Sequence, residues 1–255
     1  MAKFTYKAKR HTETLPFLAS IAFIILIWQL QYLIVASDII LPSPFGVAKK
    51  LISLIISTQF LTALGSTAVR LLFGLLISLP LGIIAGLICG VNKTAHAFFK
   101  PFFTIIAATP VMSVVLIAYL AFGSERTPVF TAFLMVFPVM AANAIAGVEA
   151  IDPKYRELCA VYKLNRLQRL QHLYLPFILP FLAGGIRSAL SLAWKVIVAA
   201  EVLVQPLHAL GSGMQIAKAN LETTELFAWT CCTVIAAALS EMLLNIILRI
   251  FKRPA

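Results

Sequence analysis

Charged side chains are scarce in this chain: they make up 12% of its 255 residues, and only 10 are acidic. A soluble fold of this size needs roughly 25% charged residues to cover its surface, so an ordinary soluble enzyme is excluded. Cysteine is equally sparse, with 4 thiols. Cys89, Cys231 and Cys232 lie inside apolar runs and Cys159 lies in a basic loop, which excludes a disulfide framework and leaves small apolar fillers. His11, His96, His172 and His208 stand far apart, and no HExxH, GxSxG or GxxxxGK[ST] occurs. A zinc protease, a nucleophile-elbow hydrolase and a self-powered ATPase are thereby excluded. Apolar residues are what the chain has, at 61% of the total and a mean hydropathy of +0.95. Lipid must be the solvent for most of it.

A bilayer core of about 30 Å takes about 20 apolar residues per helix. Six runs reach that length: 15–36, 70–91, 102–122, 128–148, 177–204 and 226–250. Hydrocarbon leaves open strands unpaired, and the runs lack the alternation of barrel strands. The expectation is an all-α integral membrane fold, a single domain over 1–255 with six transmembrane helices. The first run has a basic flank of Lys3, Lys7, Lys9 and Arg10. Its apolar stretch exceeds the roughly 7–15 residues of a secretion signal, so it reads as a retained span. Fourteen Lys and Arg fall on the side of the termini: the four of the flank, Lys93, Lys100, Arg249, Lys252, Arg253, and five within 149–176. The other side has Lys49, Lys50, Arg126 and Lys218. This bias predicts both termini in the cytoplasm and accounts for the formal charge of +11 without nucleic acid.

The inner connection 149–176 reads EAIDPKYRELCAVYKLNRLQRLQHLYLP and encodes two short helices. Asp152 before Pro153 is an N-cap with proline at the first helical position, where its missing N–H costs nothing, so a first helix runs from about 153 to 163. Asn165 and Gln168 fit a capping box. Beyond them, Leu167, Leu170 and Leu173 or Tyr174 recur at helical spacing while Arg166, Arg169 and His172 take other faces. This second helix is expected to stop at Leu175-Pro176. An amphipathic helix outside the bilayer lays its ridge on its own bundle, on the headgroups, or in a groove of a soluble partner.

Glu157, Ala160, Lys163 and Leu173-Tyr174-Leu175-Pro176 match in spacing the coupling motif Glu-Ala-Ala, three residues, Gly, nine residues, Ile-x-Leu-Pro. The chain thus resembles the type I ABC importer permeases. LPSPFGV at 41–47, LPFILP from Leu175, GGIR at 184–187, Ala193-Trp194 and Glu201 are similar to the nitrate, sulfonate and taurine branch of that family. Leu158 and Cys159 replace the family's two alanines, and Lys163 stands where it has glycine. Glycine there permits a left-handed turn. Lysine enters that conformation at a cost of about 1–2 kcal/mol, so either the turn differs or a partner compensates.

The resemblance implies a permease in the bacterial inner membrane with no catalytic residue, metal or cofactor of its own. ATP and Mg belong to a separate cytoplasmic ATP-binding cassette ATPase dimer, whose cleft takes the loop helix and whose closure moves the spans on either side as a lever. A second permease copy, as a homodimer, and an extracytoplasmic solute-binding protein complete the implied assembly. The identity of the cargo is not encoded, but a small anion is what this branch implies. Leu167, Leu170 and Leu173 are the candidate packing anchors, Arg166 and Arg169 the rim contacts, and Glu157 a first-helix contact. Ala160, Lys163, Leu175 and Pro176 complete the coupling set. For Arg166 and Arg169 the competing role is simple topology determination.

Within the membrane, Gly74, Ser78, Gly82, Gly86 and Gly90 put a small residue at every fourth position, a stripe suited to close packing within the bundle. Pro80, Pro110, Pro138 and Pro180 add kinks. Arg187, Trp194 and Glu201 are spaced by sevens and share one face with a drift of about 20° per step. That face, with Lys195 slightly off it, is expected to line the translocation pathway or a seam between two copies; a structural role for Arg187 and Glu201 is the alternative. Outside, 42–57 reads as an interfacial helix with Lys49 and Lys50 on its wet side. Residues 205–222, loosened by Gly211 and Gly213, form the other large outer segment, and the resemblance implies that the two together are the landing surface for the binding protein. A secondary, ion-coupled transporter is the rival. It predicts internal repeats and a set of buried carboxylates, whereas no repeat relates 15–148 to 149–250 and only Glu201 and Glu241 lie in the expected spans.

Overall fold

The computed structural model describes residues 14–251; Lys3, Lys7, Lys9, Arg10, His11, Lys252 and Arg253 lie outside them. The described residues are helical with no strand: α1 Thr14–Val35, α2 Pro44–Ile55, α3 Thr58–Val91, α4 Lys93–Ala108, α5 Val111–Glu149, α6 Pro153–Val161 and α7 Arg166–Arg169. A π turn, Leu170–Tyr174, then leads into α8 Leu175–Val204, followed by α9 Leu210–Ala219 and α10 Thr223–Phe251.

Five helices among the described residues, not six, are long and apolar enough to cross a membrane. The expected span 102–122 is not one helix. Proline pushes the residue before it out of the helical region, and Thr109 ahead of Pro110 is extended at ψ 127°, which ends α4. The chain then breaks again inside α5 at Gly123, where φ is 72°, a conformation that costs glycine little. Phe122 and Phe130 stand 4.8 Å apart by ring centroid, Phe103 and Phe137 5.7 Å, and His96 Nδ1 lies 3.9 Å from Glu149 Oε1. Residues 93–122 therefore fold back, broken at Pro110, along the leg 124–149.

Helix α3 starts at Thr58 rather than near 70, because the Ser57 hydroxyl caps it by accepting from Phe60 N at 3.1 Å. Arg70 lies inside the helix, buried. The small-residue stripe of α3 packs on the second leg of α5. A Cβ placed on Gly82, Gly86 or Gly90 would stand 2.7, 2.6 and 2.7 Å from the Cβ atoms of Met140, Ala144 and Val148. Glycine and partner advance together, so these helices run parallel with their backbones close. In contrast, α8 runs antiparallel to α5, with Gly147 against Ile178 and Gly185 against Asn143.

The main core gathers α2, α3, α5, α8, α9 and α10 around Phe60, Val136, Ala193, Trp194, Leu210 and Trp229. Helix α1 is peripheral: Trp28 Nε1 donates to Pro42 O at 3.1 Å and its ring lies 5.6 Å from Phe227. Helix α2 lies where an interfacial helix was expected. Lys49 is exposed, but Lys50 pairs with Glu225 of α10 at 2.7 Å, and that hydrogen bond holds its ammonium above the usual lysine range.

Gly86→Ala is expected to cost about 1–3 kcal/mol through overpacking and to lower the thermal unfolding midpoint of the purified protein. Gly65→Ala, whose methyl would meet nothing within 4 Å, should leave the midpoint unchanged or raise it slightly. Equal midpoints for the two variants would refute the α3–α5 seam.

Candidate functional site

At one end of the bundle, 149–176 forms the two helices. The Asp152 side chain accepts from Lys154 N at 2.9 Å and Pro153 opens α6. Lys163 ends it at φ 49°. Its N–H reaches Ala160 O at 3.0 Å while Leu164 N reaches Cys159 O at 3.0 Å, the Schellman pattern. The left-handed turn is thus kept with lysine in place of glycine. Leu164 and Cys159 pack with Ile151 and Leu173, and this apolar contact offsets the backbone strain. Asn165 N donates to Gln168 Oε1 at 2.9 Å and Gln168 N to Asn165 Oδ1 at 2.8 Å, completing the capping box.

The second helix does not stop at Leu175-Pro176. It widens into the π turn, in which Leu175 N bonds Leu170 O, and continues as α8. Proline has no N–H to give to the carbonyl four residues back, and the widened turn carries the chain past that gap. The proposed ridge also divides. Leu173 is 4% exposed and turned into its own chain, whereas Leu167 and Leu170 are 61% and 37% exposed. Glu157, Ala160, Lys163, Leu175 and Pro176 are exposed. Arg169 is half-buried and its Nε donates to Leu164 O at 3.0 Å, so it clamps the turn. Arg166 is the first residue of α7. Sequence reasoning overlooked Leu158, Val161 and Tyr162, large apolar side chains exposed on the first helix and its turn. Their excess over what one amphipathic face needs was the available signal.

The opposite end is tied by a buried polar network. Glu201, fully buried, accepts from Thr67 Oγ1 at 3.0 Å, Arg70 Nη1 at 3.0 Å and Gly211 N at 3.2 Å. Arg70 also donates to His208 O at 2.8 Å and to the Glu125 carboxylate, whose other oxygen accepts from Leu207 N at 2.9 Å. Leu210 N donates to Thr67 Oγ1 at 3.1 Å. The network joins α3, α5, α8 and the start of α9. Gly211 is required for contact rather than looseness, since a Cβ there would lie 2.5 Å from Val202 N. Glu201 is therefore sealed inside the protein and does not line an open pathway. Arg70 and Glu125 were missing from the sequence reading. An arginine and a glutamate at membrane depth each cost at least about 2.5 kcal/mol unpaired, so an Arg70–Glu201 pairing was legible in principle; Glu125 was not.

Between the two ends, α8 and α10 flank a groove. Arg187, Ser191, Lys195, Glu241 and Asn245 line a cavity of about 470 Å³, which continues past Trp194 into one of about 590 Å³ that shares Ser191, Lys195 and Glu241. Trp194 is buried, its Nε1 donating to Ser240 Oγ at 2.8 Å. The heptad drift explains the split of the expected stripe: it faces the core at Glu201, α10 at Trp194 and the open groove at Arg187. No ion pair joins Arg187, Lys195 and Glu241 among the described residues. At 1.5 Å per residue, all three lie at least about 13 Å from either end of their helices. Such groups stay charged only against water or another chain.

One end of the bundle thus carries two structured loop helices, and the groove carries charged groups without ion-pair partners among the described residues, far from either helix end. Residues 78–253 match the family described as binding-protein-dependent transport system inner membrane component, and the chain belongs to that family. The taurine transport system permease TauC of Escherichia coli K12 is 26% identical over 221 residues, covering 84% of this chain and 80% of that protein. The nitrate import permease NrtB of Synechocystis is 26% identical over 195 residues, covering 72% and 70%. A bacterial ABC transporter that imports the acidic polysaccharide alginate has the same fold, with TM-score 0.65 at 15% identity over 93% of this chain and 96% of that one. The chain is an ABC importer permease subunit, a multi-pass inner-membrane protein of a class that works with an ATPase and a solute-binding protein.

Arg70→Ala should destabilise the protein by about 3–5 kcal/mol, since it strands the Glu201 carboxylate. Arg70→Met combined with Glu201→Leu should recover most of that loss in unfolding measurements. Lys163→Gly should stabilise the loop by about 1 kcal/mol, read as slower proteolysis within 149–176.

Proposed function

We propose that this chain forms the membrane pathway for a small anionic solute and is driven through 149–176 by a separate ATPase that binds ATP and Mg. The observation that carries this reading is the divided ridge. Leu173 fixes the second loop helix to α6, while Leu167 and Leu170 on the same helix are left uncovered. A helix held rigidly on one side and apolar on the other is built to seat in a groove. Because it runs through the π turn into α8, displacement of the helix is passed to the span that carries Arg187 and Lys195. Glu157 and Lys163, exposed beside it, give polar contacts at the edge.

The groove of α8 and α10 is the pathway in this proposal. Two cations and one carboxylate leave it net positive, which lowers the barrier for an anion. The names of TauC and NrtB, taurine transport and nitrate import, support small solutes that bear an anionic oxygen group, a sulfonate in one case and nitrate itself in the other. A second copy of the chain, in a homodimer, closes the groove's open side, and both termini face the cytoplasm with the loop. The α2 and α9 segments receive the solute-binding protein at the opposite end.

Leu167→Asp with Leu170→Asp should leave membrane insertion intact while co-purification with the ATPase, and uptake, fall to background; normal uptake would refute the coupling role. Arg187→Ala should reduce uptake without loss of the ATPase, and an unchanged rate would remove Arg187 from the pathway.

A further inference from the structure

The largest cavity described lies away from the groove, at the loop end. It measures about 780 Å³ and opens between the α3–α4 elbow and the second loop helix. Leu87 and Val91 from the end of α3, and Leu170 from the π turn, give it an apolar wall. Lys93 at the start of α4 and Arg169 give it two cations, and Tyr174 a phenol. Among the described residues no acidic side chain lines it. Glu149, at the same end of the bundle, lies 3.9 Å from His96 and is not among the lining residues. Lys93 has no ion-pair partner among the described residues, and Arg169 spends only its Nε on Leu164 O, which leaves its terminal nitrogens free of that bond.

We propose that this cleft binds an anionic phospholipid. Its phosphodiester would sit between Lys93 and Arg169, and the first carbons of an acyl chain would lie along Leu87 and Val91, leaving the outer face of Leu170 to the ATPase. The cleft is open at the end of the apolar helix α3, and basic pockets between helices at a membrane surface select lipid headgroups. A free phosphate would satisfy the two cations but would leave the apolar wall wet. Leu170 and Tyr174 are the first and last residues of the π turn, so the bound lipid bridges the elbow and the joint through which the loop helix moves α8. Membrane composition would thereby bias the coupling helix. The lipid site itself does not depend on the ATPase reading above; only this consequence does.

The test is native mass spectrometry of the full chain purified in mild detergent, with phosphatidylglycerol or phosphatidylcholine added. Wild type should retain one phosphatidylglycerol per chain in preference to phosphatidylcholine, and added inorganic phosphate should not displace it. Lys93→Gln should weaken retention about fivefold, and Lys93→Gln with Arg169→Gln roughly thirtyfold, from the usual worth of one basic residue at an anionic surface. Lys100→Gln, on the same helix but outside the cleft, should behave as wild type. Equal losses for Lys93→Gln and Lys100→Gln would show diffuse charge attraction and overturn the site, as would equal retention of phosphatidylcholine. Displacement by inorganic phosphate would make it a free-anion site and overturn the lipid assignment. Because the readout needs no ATPase, a failed lipid result leaves the coupling proposal standing, and the reverse holds.

Discussion

Hydrocarbon has no hydrogen-bond partner to give, so every polar group that this chain carries to membrane depth must find its counterpart in protein or water. Helix α8 meets that demand in two opposite ways. At Glu201 it seals the charge, surrounding a carboxylate with a hydroxyl, a guanidinium and a backbone amide. At Arg187 and Lys195 it leaves the charge in an open groove. The first solution fixes helices together and the second requires something to enter between them. Both arise on one helix because its heptad stripe turns slowly around the axis as it rises.

The sealed end determines how the rest can move. Arg70 holds Glu201 and Glu125 at once and also reaches the His208 carbonyl, so α3, α5, α8 and the entry to α9 share one knot. The close α3–α5 seam extends that rigidity towards the loop end, through glycines that admit no added methyl without displacement of Met140, Ala144 or Val148. Helix α10 is tied differently, mainly at its first half. Its polar ties include the Lys50–Glu225 pair and the Trp194–Ser240 bond, its Trp229 packs into the core beside Phe60, and the groove opens on its other flank.

Local chemistry was the legible part of the sequence. Asp152-Pro153, the Asn165–Gln168 box and the glycine stripe each depend on residues a few positions apart, and each appears in the structure as spacing predicts. The breaks at Pro110 and Gly123 were less legible, since an apolar run has the same hydropathy whether it is one helix or two pieces meeting at a corner. The start of α3 was misplaced because the run 70–91 was counted from Arg70 onward; only that residue's distant partners make it a core residue. For the same reason Glu201 read as a pathway residue. Leu173 was assigned with Leu167 and Leu170 by period alone, but period cannot tell which side of a helix its own chain will cover.

The π turn has a further consequence. A ring closed by five residues instead of four holds one residue more than the regular helix needs, and each residue corresponds to about 100° of rotation and 1.5 Å of rise. Taking up that surplus would swivel everything beyond Leu175 relative to Arg169 while leaving the hydrogen-bond count nearly unchanged. A small push at the surface could in this way be converted into a twist of the long helix behind it, much as slack in a cable lets a drum turn before the load shifts.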